Sequence, residues 1–191
     1  MQLWVGLGNP GPQYAMNRHN VGFMAADAIA EVHGFTPPAK KFQGWLQEGR
    51  VGAEKILLLK PATYMNESGR SIRAALDFYK LAPEDVTAFH DELDLAPFKV
   101  KVKRGGGAAG QNGIRSAVQH LGAQIRPVRI GIGHPGHKDR VTGYVLGNYA
   151  KAEIEPLSDL LGAIAAEAQW LAKGDDARFM SDVALRLQAN P

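Results

Sequence analysis

Hydrophobic residues along the chain fall into two kinds of pattern, short extended runs and longer stretches with helical spacing. Residues 55–60 carry four consecutive apolar side chains, which is typical of a strand buried on both faces. Residues 98–104 alternate between apolar and basic side chains, which predicts a strand with one buried and one basic face. Three further short strands are expected at residues 2–7, 86–90 and 128–133.

The stretches between these runs have the spacing of helices. Apolar residues recur every three or four positions, which predicts helices at residues 21–32, 68–80 and 112–121, and from residue 151 to the end. Strands that alternate with helices favour an α/β domain. We therefore expect residues 1–191 to form a single domain, a twisted mixed sheet that is largely parallel and has helices on both faces.

Composition narrows the class of protein without identifying it. The 191 residues are 45% hydrophobic and 21% charged, as in ordinary globular proteins. The chain has no cysteine, which excludes disulfides, thiol catalysis and thiolate-rich metal sites. No apolar run approaches the ~20 residues that a membrane span needs, and the N-terminus lacks the pattern of a secretory signal. A cytoplasmic location without membrane contact is expected.

Positive charge is concentrated in one part of the chain. Residues 99–140 contain nine Lys or Arg and one acidic residue, Asp139, whereas acidic residues outnumber basic ones in the remainder. Such a distribution favours a polyanionic partner, most often a nucleic acid. A basic face that contacts only solvent is the alternative.

Two glycine-rich segments match the pattern G-x-G-x-x-G, at residues 6–11 and 105–110. In the first, Pro10 and the late start of the following helix, after Asn20, disfavour the dinucleotide site of an oxidoreductase. The second lies between the basic strand and a predicted helix, where backbone N–H groups can face an anion. The second segment is therefore interpreted as an anion-facing loop.

The six histidines do not have the spacing of a zinc site, and no metal site is expected. There is also no G-x-S-x-G motif for a serine nucleophile. The remaining candidates for chemistry are His19 and Asp91, each at the end of a predicted loop or strand. Taken alone, a histidine such as His19 is more often structural than catalytic.

Several motifs taken together resemble the bacterial-type peptidyl-tRNA hydrolases. The matching segments are GLGNPG at 6–11 with Tyr14, RHN at 18–20, KPATYMNESG at 60–69, HDELDL at 90–95, the glycines 105–107 and 110, NG at 112–113, and RIGIGHP at 129–135. The resemblance implies hydrolysis of the ester that joins a peptide to the 3′ ribose of tRNA. It also implies a single α/β domain that works without metal or cofactor. We expect the protein to be a monomer.

The resemblance assigns roles to individual residues. His19 corresponds to the general base and Asp91 to the carboxylate that fixes its tautomer, a pairing that suits ester hydrolysis near neutral pH. The remaining positions correspond to residues that bind peptidyl-tRNA. They are Asn9, Asn66 and Asn112 for the peptide and the ester, Tyr14 and Tyr64 for the tRNA 3′ end, and Lys103 and Arg129 for the 5′ phosphate.

Three positions depart from the family pattern. Gln111 stands where histidine is usual and can form hydrogen bonds but carries no proton at neutral pH. Asn17 replaces the usual threonine, and Pro127 replaces a residue that is often basic, next to Arg126. Two rival hypotheses remain at this point: a non-catalytic RNA-binding relative of the same fold, and a nucleotide-dependent oxidoreductase.

Overall fold

The computed structural model of the protein describes residues 1–105 and 110–189. Its centre is a sheet with the strand order β2-β3-β4-β1-β5-β7-β6. The strands are β1 (Gln2–Gly6), β2 (Ala39–Lys41), β3 (Gly44–Val51), β4 (Glu54–Pro61), β5 (Val86–Glu92), β6 (Val100–Val102) and β7 (Arg126–Gly131). The four central strands are parallel, while β2, β3 and β6 add antiparallel edges. The mixed, centrally parallel sheet confirms the predicted fold class.

Helices cover both faces of this sheet, as predicted. They are α1 (Val21–Val32), α2 (Ser68–Tyr79), α3 (Asn112–Leu121), α4 (Val141–Val145), α5 (Ile154–Ala166), α6 (Ala168–Ala172) and α7 (Asp176–Ala189). One core packs the apolar sides of α1, α5, α6 and α7 around the buried ring of Trp4. The second core packs α2 and α3 on the opposite face, around Leu57 and Leu59.

Some predicted elements are placed differently in the structure. The basic strand is shorter than residues 98–104, because Phe98 has a positive φ of 64° and cannot continue an extended strand. Strand β7 begins two residues before the predicted segment and includes Pro127. The helical stretch after residue 151 is divided into α5, α6 and α7. The predicted anion-facing loop at residues 105–110 lies mostly outside the described residues.

The pattern analysis missed the antiparallel hairpin formed by β2 and β3. Its two-residue turn, Phe42 and Gln43, has φ values of 55° and 56°, a conformation that usually calls for Asn-Gly. Strand β3 is exposed along much of one side, so its sequence lacks a continuous apolar run. Neither the turn nor the strand therefore carries the usual signal.

The parallel strands β1, β4, β5 and β7 bring their carboxyl ends to one edge of the sheet, where ligands bind in open α/β folds. Helix α1 starts directly against this edge. A Cβ at Gly22, in the first turn of α1, would overlap the carbonyl oxygens of Phe89 and Leu7. This close contact brings the residues just before α1 next to the end of β5.

Candidate active site

His19 lies in a short 3₁₀ turn, Arg18–Asn20, that leads into α1. Asn20 joins this turn to the loop that follows β1 through two hydrogen bonds. The Asn20 side chain donates to the backbone oxygen of Asn9 and accepts from the backbone N–H of Asn9, both at 2.9 Å. The side-chain oxygen of Asn9 in turn accepts from the N–H of Met65 at 2.9 Å. The loop after β1 and the segment at Met65 are thereby fixed relative to His19.

The imidazole of His19 is paired with a buried carboxylate. Its Nδ1 lies 2.8 Å from Oδ2 of Asp91, and the two side chains are 12% and 3% exposed. Because a carboxylate only accepts, the proton of a neutral His19 resides on Nδ1 and leaves a lone pair on Nε2. The pair can therefore work as an oriented general base.

Gln111 holds the other oxygen of this carboxylate. Its side-chain Nε2 donates to Oδ1 of Asp91 at 3.0 Å, and its Oε1 accepts from the N–H of Ile114 at 2.7 Å as the N-cap of α3. The sequence analysis noted Gln111 only as a departure from the family pattern and missed this contact. The one available signal was its position immediately before the predicted helix at residues 112–121.

An open cavity of about 430 Å³ lies over the His19–Asp91 pair. Its apolar wall comes from Met65, Leu93 and the segment around α4. Six residues predicted from the sequence line this cavity: Asn9, His19, Tyr64, Asn66, Asp91 and Asn112. The structure therefore brings together the candidate base, its carboxylate, three uncharged amides and one aromatic side chain.

The other predicted site residues lie outside the cavity lining. Tyr14 is half-buried in the 3₁₀ turn Pro12–Tyr14, and Lys103 is exposed just after β6. Arg129, on β7, is only 16% exposed, and its Nη1 lies 3.4 Å from Oε1 of the buried Glu92. The charge of Arg129 is thus partly neutralised within the protein.

Arg126 has a structural environment that the charge count did not reveal. It is buried on β7, forms an ion pair with Asp176 at 2.9 Å and donates twice to the hydroxyl of Thr87. A guanidinium held in this way is not available to an external polyanion. The prediction of a polyanion-binding segment therefore cannot include Arg126.

Burial shifts the pKa of two neighbours of Asp91, His90 and Glu92. Loss of solvent lowers the pKa of His90 to about 4, and its Nδ1 donates to the backbone oxygen of Asp91 at 2.8 Å. Burial likewise raises the pKa of Glu92, against the opposing effect of Arg129. His90 is therefore neutral near pH 7.

Within residues 1–105 and 110–189, no three His, Asp or Glu side chains are grouped so that they could hold a metal ion. No helix in the same ranges combines the length and the hydrophobicity required to cross a membrane.

The fold and the site define an α/β enzyme of the hydrolase class, with a His–Asp pair at the candidate active site. Comparison with known proteins agrees with this class. The family model described as peptidyl-tRNA hydrolase matches residues 3–190. The chain belongs to the peptidyl-tRNA hydrolase family, which confirms the resemblance and sets aside the oxidoreductase hypothesis.

Individual relatives match over nearly the whole chain. The chain is 80% identical to the peptidyl-tRNA hydrolase of Sphingopyxis alaskensis, over 98% of this chain and all of the relative. It is 75% identical to that of Erythrobacter litoralis, over 99% of this chain and all of the relative. The crystal structure of peptidyl-tRNA hydrolase from Acinetobacter baumannii superposes with a TM-score of 0.90 at 39% identity, covering 96% and 94% of the two chains.

Proposed function

We propose that the protein hydrolyses the ester between the peptide and the 3′ ribose of peptidyl-tRNA, with His19 as the general base. The observation that carries the proposal is the 2.8 Å contact between His19 Nδ1 and Asp91 Oδ2 in an amide-lined cavity. Membership of the family indicates that the substrate is peptidyl-tRNA. In this proposal the enzyme is a cytoplasmic monomer. Its reaction recycles tRNA from peptidyl-tRNA that ribosomes have released prematurely.

The proposed reaction uses one water molecule and one histidine. Nε2 of His19 removes a proton from water while the water oxygen bonds to the ester carbonyl carbon. Asp91 stabilises the resulting imidazolium through the Nδ1–H contact. The tetrahedral intermediate then collapses, the bond to the 3′ oxygen of the ribose breaks, and the imidazolium returns its proton to that oxygen.

Amide side chains are suited to binding the peptide end of the substrate. Asn9, Asn66 and Asn112 donate and accept hydrogen bonds without changing charge, so they can bind a peptide backbone and an ester carbonyl. The Oδ1 of Asn9 is already occupied by the N–H of Met65. This contact fixes its orientation, so that its Nδ2 is the group offered to substrate. In our proposal Asn9 distinguishes N-blocked peptidyl-tRNA from free aminoacyl-tRNA.

The tRNA end of the substrate requires different chemistry. Tyr64 lines the cavity and is 64% exposed, so its ring can stack on a base or ribose of the 3′ end, and Tyr14 is proposed to extend this contact. Lys103 and Arg129 are proposed to bind the 5′ phosphate. Of these two cations, Lys103 is the more exposed.

Release of labelled N-acetyl-amino acid from N-acetyl-aminoacyl-tRNA, with EDTA present, tests the proposal. We expect full turnover in EDTA, because no step requires a metal, and much slower release from the same tRNA with a free amino group. Absence of release would contradict the proposed activity. Release that EDTA abolishes would contradict the His19 mechanism.

A further inference from the structure

Gln111 connects the carboxylate of Asp91 to the first turn of α3, and it is only 6% exposed. The orientation of its amide is fixed by its neighbours. A backbone N–H can only donate, so the atom 2.7 Å from the N–H of Ile114 is Oε1. The amide nitrogen therefore faces Oδ1 of Asp91 at 3.0 Å, where it donates.

The result is a carboxylate with a donor on each oxygen. His19 donates to Oδ2 at 2.8 Å and Gln111 donates to Oδ1 at 3.0 Å. A rotation of the carboxylate would break both contacts inside a buried site, where unpaired polar groups are costly. The amide also brings no charge of its own, so it does not compete with the imidazolium for the carboxylate of Asp91.

We propose that Gln111 is a positioning residue that holds Asp91 in the orientation required to orient and stabilise His19. This inference rests on the proposed function, because it concerns the same base. Gln111 has two separable roles on two atoms. Its Oε1 caps α3, which affects stability, and its Nε2 holds Asp91, which affects the chemical step.

Three substitutions separate these roles. Gln111→Met fills the space of the glutamine and supplies neither the cap nor the donor. Gln111→Ser restores a favourable N-cap but is too short to reach Asp91. Gln111→His has one donor and one acceptor on its neutral ring, so it can supply both contacts.

We expect kcat to depend on the hydrogen-bond donor to Asp91 and thermal stability to depend on the N-cap of α3. Gln111→Met and Gln111→Ser should both lower kcat roughly tenfold, with KM within about twofold of wild type, as for other groups that orient a functional side chain. Gln111→His should retain most of kcat. Only Gln111→Met should show the full loss of thermal stability. If Gln111→Ser restores kcat together with stability, Gln111 is only a helix cap and the inference is wrong.

A double-mutant cycle tests whether Gln111 acts through Asp91. In an Asp91→Asn background, Gln111→Met should lower kcat by less than about twofold, because the oriented carboxylate is already absent. An equal, roughly tenfold loss in both backgrounds would contradict the inference.

An NMR measurement separates this inference from the proposed function, because it requires no turnover. The Nδ1 proton of His19 should resonate at low field in wild type and in Gln111→His. In Gln111→Met and Gln111→Ser it should move or broaden, because the carboxylate is less well held. An unchanged resonance in all three variants would overturn the inference, whereas an inactive wild-type protein would overturn only the proposed function.

Discussion

The proposed catalytic edge, formed by His19, Asp91 and Gln111, differs sharply from the basic segment at residues 99–140. At the catalytic edge each functional side chain is largely buried and is held by a neighbour from another element. In the basic segment seven of the nine cations are exposed. The two exceptions, Arg126 and Arg129, have carboxylate partners within the protein.

The difference follows from what each region has to do. A general base works only in one tautomer and one orientation, so its neighbours must be fixed before substrate arrives. Attraction of a polyanion depends on exposed charge and tolerates mobile side chains. Short motifs therefore singled out His19 and Asp91, which the structure brings together, whereas a count of basic residues overestimated the cations available for binding.

The largest effect is expected from His19→Ala. Loss of a positioned general base costs about 10²–10⁴-fold in rate, and we expect kcat to fall by this amount while the Kd for tRNA changes less than about threefold. Single-turnover hydrolysis and filter binding measure the two quantities. His137→Ala, an exposed histidine outside the cavity, is the matched control and should match wild type. A His19→Ala variant with substantial activity would remove the chemical distinction between the two regions.

Arg126→Ala is expected to change stability rather than binding. Removal of the Arg126 guanidinium leaves Asp176, at the start of α7, and the Thr87 hydroxyl, on β5, without the donor that they share. We expect a loss of about 2–4 kcal/mol in the free energy of unfolding, below the largest losses for buried pairs because Asp176 is 28% exposed. Urea denaturation measures it, and the exposed Arg104→Ala is the control. Weaker tRNA binding by the folded Arg126→Ala variant would show that Arg126 belongs to the tRNA-binding surface.

His19 and Arg126 show which parts of the site can be predicted from the sequence and which cannot. His19 belongs to a motif whose chemistry can be predicted from the sequence alone. The parallel strands predicted for this chain bring His19 close to Asp91. Arg126 carries the same charge as Lys103, yet its burial depends on α7, some 50 residues further along the chain. Likewise Gln111 lies 20 residues from Asp91 in sequence, and only the folded sheet brings them together.

A smaller effect is expected from His90, the buried histidine beside Asp91. Its pKa of about 4 lies below that of an exposed histidine, so on acidification the unfolded chain takes up a proton before the folded protein does. The contribution of His90 to the free energy of unfolding is therefore fully present above about pH 6.5 and is lost as the pH falls towards 4. Between pH 7 and pH 5 this linkage costs about 2 kcal/mol.

Replacement of His90 by glutamine should remove that dependence, because an amide does not titrate. Glu92, whose raised pKa has the opposite effect on stability, remains in both proteins, so it does not affect the comparison. Urea denaturation of wild type and His90→Gln at pH 7 and pH 5 measures the difference. Identical losses in the two proteins would show that His90 is protonated in the folded state.

The smallest effect, and the direct test of the basic segment, is expected from Lys103→Ala. Each phosphate contact releases condensed counterions, so loss of one contact should weaken binding of full-length peptidyl-tRNA a few-fold and reduce the salt slope by about 1. Hydrolysis of a peptide ester on a short 3′ fragment, which lacks the 5′ phosphate, should be unchanged. Lys40→Ala is the control, because β2 and β6 lie at opposite edges of the sheet. Equal losses on both substrates would mean that Lys103 supports the fold or the catalytic edge, and the exposed cations would then be a solvated face.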